Sequence, residues 1–214
     1  MSNILLPEQE EYLQSFSNSN DSLITEMEAF ASEHKIPILE KTAAKFLEQL
    51  VYMYSPKKFL EIGLAIGYST IRVAKILPNS TFISSIELSK DNIKLANSFI
   101  ARANLNNKIE TLEGNALDIL PNLSKDYDFI FLDADKEDYM DLFIMAFDIL
   151  KVGGIILVDN LLWKGFTAST EVPNNYKKST ELIRKFNAKF LSHPNLNSSI
   201  LPIGDGLGLG IKTK

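Results

Sequence analysis

The chain has 214 residues, of which 45% are apolar and 23% charged, and its formal net charge is −5. This length and composition suit one globular domain and exclude a largely disordered or collagen-like protein. No apolar run reaches the roughly 18 residues that cross a bilayer, and no signal-peptide pattern is present, so we expect a cytoplasmic protein. With no cysteine and two histidines, any metal must be bound by oxygen ligands.

The net negative charge argues against a protein that coats nucleic acid, because phosphate binding requires surplus lysine and arginine. The charge is unevenly distributed, however. Residues 1–34 contain seven acidic residues and no lysine or arginine, whereas residues 164–189 contain an excess of basic ones. The basic residues of this segment are Lys164, Lys177, Lys178, Arg184, Lys185 and Lys189. The hypothesis of an anionic partner that binds at this basic segment therefore stays open.

Apolar periodicity predicts three helices in the first part of the chain, over residues 7–16, 21–34 and 39–54, with Asp21 as an N-cap. After Pro56 the period changes, and short β-rich runs alternate with helical ones. We therefore expect a single domain over residues 1–214, with an N-terminal helical segment (1–55) and an α/β core (56–214).

The core pattern is typical of a doubly wound, parallel sheet. The predicted strands are 59–63, 81–87, 108–114, 128–133 and 154–159, and the predicted helices begin near residues 69, 90, 116 and 136. The runs FIFL and IILV are continuously apolar, as expected for central strands that are covered on both faces. After a helix at 176–191, the last residues predict a hairpin that turns at 204–206.

The first strand leads into a glycine turn that favours ligand binding. Gly63 and Gly67 are spaced G-x-x-x-G, which departs from the G-x-G-x-x-G pattern of dinucleotide-binding proteins. Glu61, beside this turn, suits a cationic part of a ligand, such as the amino group of a methionine-like moiety. The alternative is a purely structural turn between strand and helix.

Two further strand ends point to a nucleoside. Glu87 lies about twenty residues beyond the glycine turn, where a carboxylate commonly accepts hydrogen bonds from ribose hydroxyls. The alternative is a solvated glutamate at the end of a strand. Asn115 and Ala116, after the third strand, are expected to lie beside the base.

Three oxygen-bearing side chains follow the fourth and fifth strands. Asp133 closes one, and Asp159 with Asn160 closes the other. The carboxyl ends of neighbouring parallel strands meet at one edge of the sheet, so these residues should converge on a hard cation such as Mg²⁺. Asp159 and Asn160 alone are equally typical of a helix cap.

Lys136 is predicted at the start of a helix, where its charge opposes the helix dipole, which suggests a role in chemistry. Near a bound cation its ammonium group loses a proton more easily, so Lys136 is a candidate general base. The alternative is an exposed lysine that pairs with Glu137 or Asp138.

Together these motifs resemble class I, S-adenosylmethionine-dependent O-methyltransferases of the catechol and caffeoyl-CoA type. The resemblance rests on FLEIGLAIGYS, Glu87, EGNALDILP, FIFLDADK, ILVDN and PIGDGL, and it spans nearly the whole chain. Within this family the chain looks most similar to bacterial enzymes that methylate 5-hydroxyuridine in tRNA. That closer similarity rests on EAFASEHKIPILEK, DNLLWKG and LSHPNLNSSILPIGDGL.

The resemblance implies a Rossmann-like α/β fold, a doubly wound, mostly parallel sheet of seven strands with the last strand antiparallel and extra N-terminal helices. It also implies a homodimer. The residues implied around S-adenosylmethionine are Ile38, Glu61, Gly63, Ser69, Glu87, Asn115, Ala116 and Asp133. Asp133, Asp159 and Asn160 would hold Mg²⁺ or another divalent cation, and Lys136 and Asp133 would be catalytic.

These expectations favour methylation of the 5-hydroxyl of 5-hydroxyuridine at the tRNA wobble position. Basic residues 164–189 would then line the mouth of the site and meet the anticodon loop. The alternative is a small catechol or phenylpropanoid acceptor with two vicinal oxygens. A noncatalytic nucleotide-binding protein or an NAD-dependent oxidoreductase is a third hypothesis, and the glycine spacing disfavours the oxidoreductase.

Overall fold

A computed structural model describes residues 4–214. The chain begins with three helices, α1 (Pro7–Ser15), α2 (Ser22–His34) and α3 (Lys41–Tyr54), each close to its predicted range. The Asp21 carboxylate accepts hydrogen bonds from the amides of Leu23 and Ile24, so the predicted N-cap of α2 is confirmed.

The rest of the chain forms one seven-stranded sheet, in the order β3-β2-β1-β4-β5-β7-β6. The strands are β1 (Lys58–Ile62), β2 (Phe82–Glu87), β3 (Ile109–Glu113), β4 (Tyr127–Leu132), β5 (Leu150–Val158), β6 (Leu196–Leu201) and β7 (Leu207–Lys212). Strands β1 to β5 pair in parallel, whereas β7 runs antiparallel to both β5 and β6. The predicted fold, including the antiparallel last strand, is confirmed.

Helices cover both faces of this sheet. They are α4 (Tyr68–Ile76), α5 (Lys90–Arg102), α6 (Ala116–Ile119), α7 (Tyr139–Ile149) and α8 (Lys177–Leu191). Phe59 and Phe129 are buried on one face, and Leu60 and Ile130 on the other, which explains the continuously apolar central strands. None of the helices within residues 4–214 is long and apolar enough to cross a membrane.

Two predicted boundaries were wrong. Helix α7 begins at Tyr139 rather than at residue 136, because the chain first makes a turn in which the Asp138 amide donates to the Asp135 carbonyl. Strand β5 begins at Leu150 rather than at residue 154, because Leu150 already pairs with Tyr127 before the register shifts. The first departure is due to a local turn and the second to the pairing of two strands, and apolar periodicity reports neither of them.

A buried polar network holds the N-terminal helices against α4. The Arg72 guanidinium donates to Glu48 of α3 at 2.7 Å, and the Tyr68 hydroxyl donates to Glu28 of α2 at 2.7 Å. Glu28 also pairs with Lys41 at 2.8 Å. Because α2 and α3 are fixed in this way, the segment between them lies over the carboxyl ends of the strands and lends Ile38 to the cavity there.

Candidate functional site

A cavity of about 600 Å³ opens at the carboxyl ends of the parallel strands. It runs from the loops after β2 and β3 to the turn between β6 and β7. The predicted site residues that line it are Ile38, Gly63, Glu87, Asn115, Ala116, Asp133, Lys136, Asp159 and Asn160. Glu61 and Ser69 lie beneath the glycine turn and are not part of the cavity wall.

Gly63 forms the floor of the cavity where β1 meets the end of β4. Its φ is +104°, and a Cβ at this position would lie 1.7 Å from the carbonyl oxygen of Asp133. Only glycine fits so close an approach. Gly67, with φ +83°, then starts α4. The G-x-x-x-G spacing therefore allows the end of β1 to lie against the end of β4 and allows α4 to begin directly after the turn.

Glu87 joins this turn to the end of β2. Its two carboxylate oxygens accept hydrogen bonds from the amides of Ala65 and Ser89, each at 2.8 Å. Glu87 is thus held in place while it lines the cavity, which differs from a freely solvated strand-end glutamate. A carboxylate has about four acceptor positions, so lone pairs are left for ribose hydroxyls.

Glu61 lies in the core directly below the glycine turn. Its side chain is fully buried, and it accepts hydrogen bonds from the hydroxyls of Ser69 and Ser85. Burial raises the pKa of Glu61 to about 8, although the Ser69 hydrogen bond opposes this shift. In the protein without ligand, Glu61 is therefore largely protonated at neutral pH.

The burial of Glu61 predicts that the free energy of unfolding of the protein depends on pH. Because the pKa of Glu61 is higher in the folded chain than in the unfolded chain, folding retains a proton, and the free energy of unfolding falls as pH rises toward 8. Between pH 6 and 7.5 we expect a loss of about 2 kcal/mol from this group. Urea denaturation of the ligand-free protein at both pH values measures it.

Glu61→Gln is the matched variant, since glutamine cannot titrate and nearly conserves the side-chain volume. The variant should lose less stability than the wild type over the same pH interval. Equal losses in both proteins would show that Glu61 is ionised in the folded state.

The three oxygen-bearing residues Asp133, Asp159 and Asn160 all line the cavity, at the carboxyl ends of the neighbouring strands β4 and β5. The Asp133 amide donates to the Ile62 carbonyl, and the Asp159 amide donates to the Leu132 carbonyl, so both residues extend the ends of adjacent strands. Asp159 is buried, and burial together with the charge of Asp133 raises its pKa well above the usual range. Asn160 follows with φ +62° and also lines the cavity.

Lys136 lies in the turn before α7, with its side chain 11% exposed. Its ammonium group donates to the Tyr139 hydroxyl at 2.7 Å and to the Ala134 carbonyl at 2.9 Å, and it lies 3.4 Å from Asp133. Tyr139 in turn donates to the Asp159 carbonyl at 3.0 Å. Lys136 therefore contacts Asp133 directly and Asp159 through Tyr139, and it does not pair with Glu137 or Asp138.

Sequence reasoning missed several residues of the cavity wall, among them Asp205 and Trp163. Asp205 accepts hydrogen bonds from the Asn160 side chain at 3.4 Å and from the Lys164 amide. Burial raises the pKa of Asp205. The turn at 204–206 was the available signal, but only the pairing of β7 with β5 brings it to the site.

Of the six basic residues predicted to line the mouth of the site, only Lys164 lines the cavity. Lys178 pairs with Glu137 at 2.6 Å, and Arg184 donates to the carbonyls of Phe166 and Thr167, each at 3.0 Å. The reason is the packing of α8, which buries its apolar side chains against the sheet and turns its charged face to solvent.

The chain matches the O-methyltransferase family over residues 14–213. It is 32% identical to caffeoyl-CoA O-methyltransferase 2 of Petunia hybrida over 195 residues, which cover 86% of this chain and 81% of the relative. A solved O-methyltransferase from Bacillus cereus, in complex with S-adenosylhomocysteine, has a TM-score of 0.83 and 28% identity, with coverage of 96% and 97%.

A second solved relative is an O-methyltransferase of tomaymycin synthesis from Streptomyces achromogenes, in complex with S-adenosylmethionine. It has a TM-score of 0.84 and 25% identity, and the match covers 97% of this chain and 96% of the relative. The family match begins at residue 14, so it spans α2 and α3 as well as the sheet. The chain belongs to the class I, S-adenosylmethionine-dependent O-methyltransferases of the caffeoyl-CoA type.

Proposed function

We propose that this enzyme methylates one of two neighbouring oxygens on a small acceptor of the catechol or phenylpropanoid class. One observation carries this proposal. The cavity runs from Glu87 at the end of β2, past the glycine turn and Asp133, to Asp159 and Asn160 at the end of β5. A nucleoside methyl donor and an oxygen-rich acceptor would thus lie side by side, and the similarity to a caffeoyl-CoA enzyme supports a small aromatic acceptor.

The first end of the cavity suits S-adenosylmethionine. Glu87 would accept hydrogen bonds from both ribose hydroxyls, and Asn115 with Ala116 would flank the base. Gly63 would let the methionine portion approach the backbone, and Ile38 would cover it from above. Glu61 and Ser69 would support the turn from below, in line with their burial.

The second end fits a divalent cation. Within residues 4–214 no three His, Cys, Asp or Glu side chains group to hold a metal, so the set here is two carboxylates and the Asn160 amide. Asp159 is buried next to the charge of Asp133, and such a pair is stabilised by a cation. When bound, Mg²⁺ would orient two vicinal oxygens and lower the pKa of the hydroxyl.

Lys136, once its ammonium group has lost a proton and become a neutral amine, would take the proton of the acceptor hydroxyl. Its ammonium group is held near Asp133 and Tyr139, so the side chain has one position at the cavity wall. The deprotonated oxygen would then bond to the methyl carbon as the carbon–sulfur bond breaks, and S-adenosylhomocysteine leaves as a neutral thioether. The protein contributes alignment, because the methyl sulfonium is already activated.

A tRNA acceptor has less support. Of the basic residues predicted to line the mouth, only Lys164 lines the cavity, and Lys178 and Arg184 bind other groups of the protein.

We also propose a homodimer, because Tyr12, Phe16 and Tyr52 on the N-terminal helices are large, apolar and more than 60% exposed. Light scattering of the purified protein tests the dimer.

The acceptor is tested with purified enzyme and labelled S-adenosylmethionine. Catechol, caffeate and tRNA that contains 5-hydroxyuridine would each be supplied, with Mg²⁺ or with excess chelator. We expect transfer to the diphenols, dependent on Mg²⁺. Efficient methylation of the tRNA with none of the diphenols would instead support the tRNA hypothesis.

Glu87→Ala is expected to weaken binding of S-adenosylmethionine by about 1.5–3 kcal/mol, the range for hydrogen bonds to a charged group. Isothermal titration calorimetry measures the dissociation constant. Glu113→Ala is the control, since Glu113 ends the neighbouring strand and pairs with Lys90 outside the cavity. An unchanged constant for Glu87→Ala would assign Glu87 a structural role only.

A further inference from the structure

The cavity continues past Asp159 and Asn160 into a recess of about 230 Å³. The recess adds Glu10 of α1 and Glu40, the residue before α3, to a wall that it shares with Asp205 and Lys164. In the sheet, β1, β4 and β5 separate the strand of Glu87 from β7, whose preceding turn carries Asp205. The recess is therefore on the acceptor side of the cavity, away from the ribose position.

Glu40 is directed toward this recess. It is the N-cap residue of α3, but its side chain makes no capping hydrogen bond. A Cβ on Gly204 would lie 3.3 Å from its carboxylate, which places Glu40 against the 204–206 turn. Among the residues that the structure describes, no lysine or arginine forms an ion pair with Glu40 within 4.0 Å.

Negative charge is in excess around Glu40. Among the residues that the structure describes, three carboxylates, those of Glu10, Glu40 and Asp205, line the recess with the single ammonium group of Lys164. The carboxylates of Asp133 and Asp159 are not counted here, since they would hold the cation. Burial raises the pKa of Glu40, and the charges of Glu10 and Asp205 raise it further, against a smaller opposing effect of nearby positive charges that include Lys164. These acids already repel one another, so an additional anion would enter at an electrostatic cost.

We propose that Glu40 is a specificity-determining residue. Together with Glu10 and Asp205, it disfavours acceptors whose tail is anionic, including coenzyme A thioesters, and favours diphenols with a neutral or cationic tail. This inference rests on the proposed function, because it concerns the tail of an acceptor held at Asp159 and Asn160. It separates this enzyme from the caffeoyl-CoA relatives that share its fold.

Three acceptors with the same vicinal-diphenol ring test the proposal: one with no tail, one with an aminoethyl tail and one with a carboxyethyl tail. We expect the wild-type enzyme to have a higher kcat/KM for the cationic acceptor than for the anionic one. In Glu40→Gln this ratio should fall at least about tenfold, mainly through KM, since like-charge contacts cost binding energy. Glu8→Gln, on the exposed surface of α1, should leave the ratio unchanged.

A salt series on the wild-type enzyme gives a second readout that needs no variant. Higher ionic strength should reduce the preference for the cationic acceptor, because salt screens partly exposed charges. An unchanged ratio in Glu40→Gln, or a wild-type preference for the caffeoyl thioester of coenzyme A over the cationic diphenol, would overturn this inference and leave the proposed function standing. If the wild-type enzyme methylates none of the diphenols, the proposed function fails and the inference fails with it.

Discussion

Asp159→Ala is expected to lower kcat/KM for methyl transfer by about 100- to 1,000-fold, because a metal that stabilises developing charge contributes several kcal/mol. The affinity for S-adenosylmethionine should change little, since Asp159 lies at the opposite end of the cavity from Glu87. Initial rates with catechol at saturating Mg²⁺, together with calorimetric titration of the methyl donor, measure the two quantities.

A thermal melt provides a readout that does not depend on activity. Added Mg²⁺ should raise the Tm of the wild-type protein, because a ligand that binds only the folded state stabilises it, and it should not raise the Tm of Asp159→Ala. Asp141→Asn, on the exposed face of α7, should respond as the wild type does. Full activity of the wild-type enzyme in excess chelator would contradict the metal assignment.

Lys136→Met is expected to reduce kcat by about 100- to 10,000-fold, the usual contribution of a positioned general base. Lys136→Arg distinguishes proton transfer from a purely electrostatic role. A guanidinium keeps the positive charge but does not give up its proton in proteins, so the arginine variant should be nearly as impaired as the methionine variant. Single-turnover rates with saturating methyl donor measure the chemical step directly.

Lys185→Met serves as the control, since Lys185 is exposed on α8 and lies outside the cavity. Its single-turnover rate should match that of the wild type. Substantial activity in Lys136→Arg would show that Lys136 acts through its charge alone. In that case the proton would leave by another route, and the bonds that hold Lys136 to Tyr139 and Ala134 would have a positioning role.

Local pattern was enough to predict most of the elements that surround the site. Helix α5 begins at the predicted residue 90, and four of the five parallel strands lie within one residue of their predicted ranges. A helix that buries one face repeats its apolar residues about every 3.6 positions, and a parallel strand that is covered on both faces shows a continuous apolar run. The meeting of Asp133 with Asp159 and Asn160 was predictable for a related reason, since the carboxyl ends of adjacent parallel strands always share one edge.

The sequence by itself thus determined the fold class, the family resemblance and the cavity residues that directly follow strands. Only the tertiary structure decided that Glu61 is buried below the turn, that Asp205 and Glu40 line one recess with Asp159 and Asn160, and that the charged face of α8 points to solvent. These outcomes depend on packing between segments that are far apart in the chain. No local period reports such contacts, because burial, charge repulsion and strand order are set by the assembled sheet.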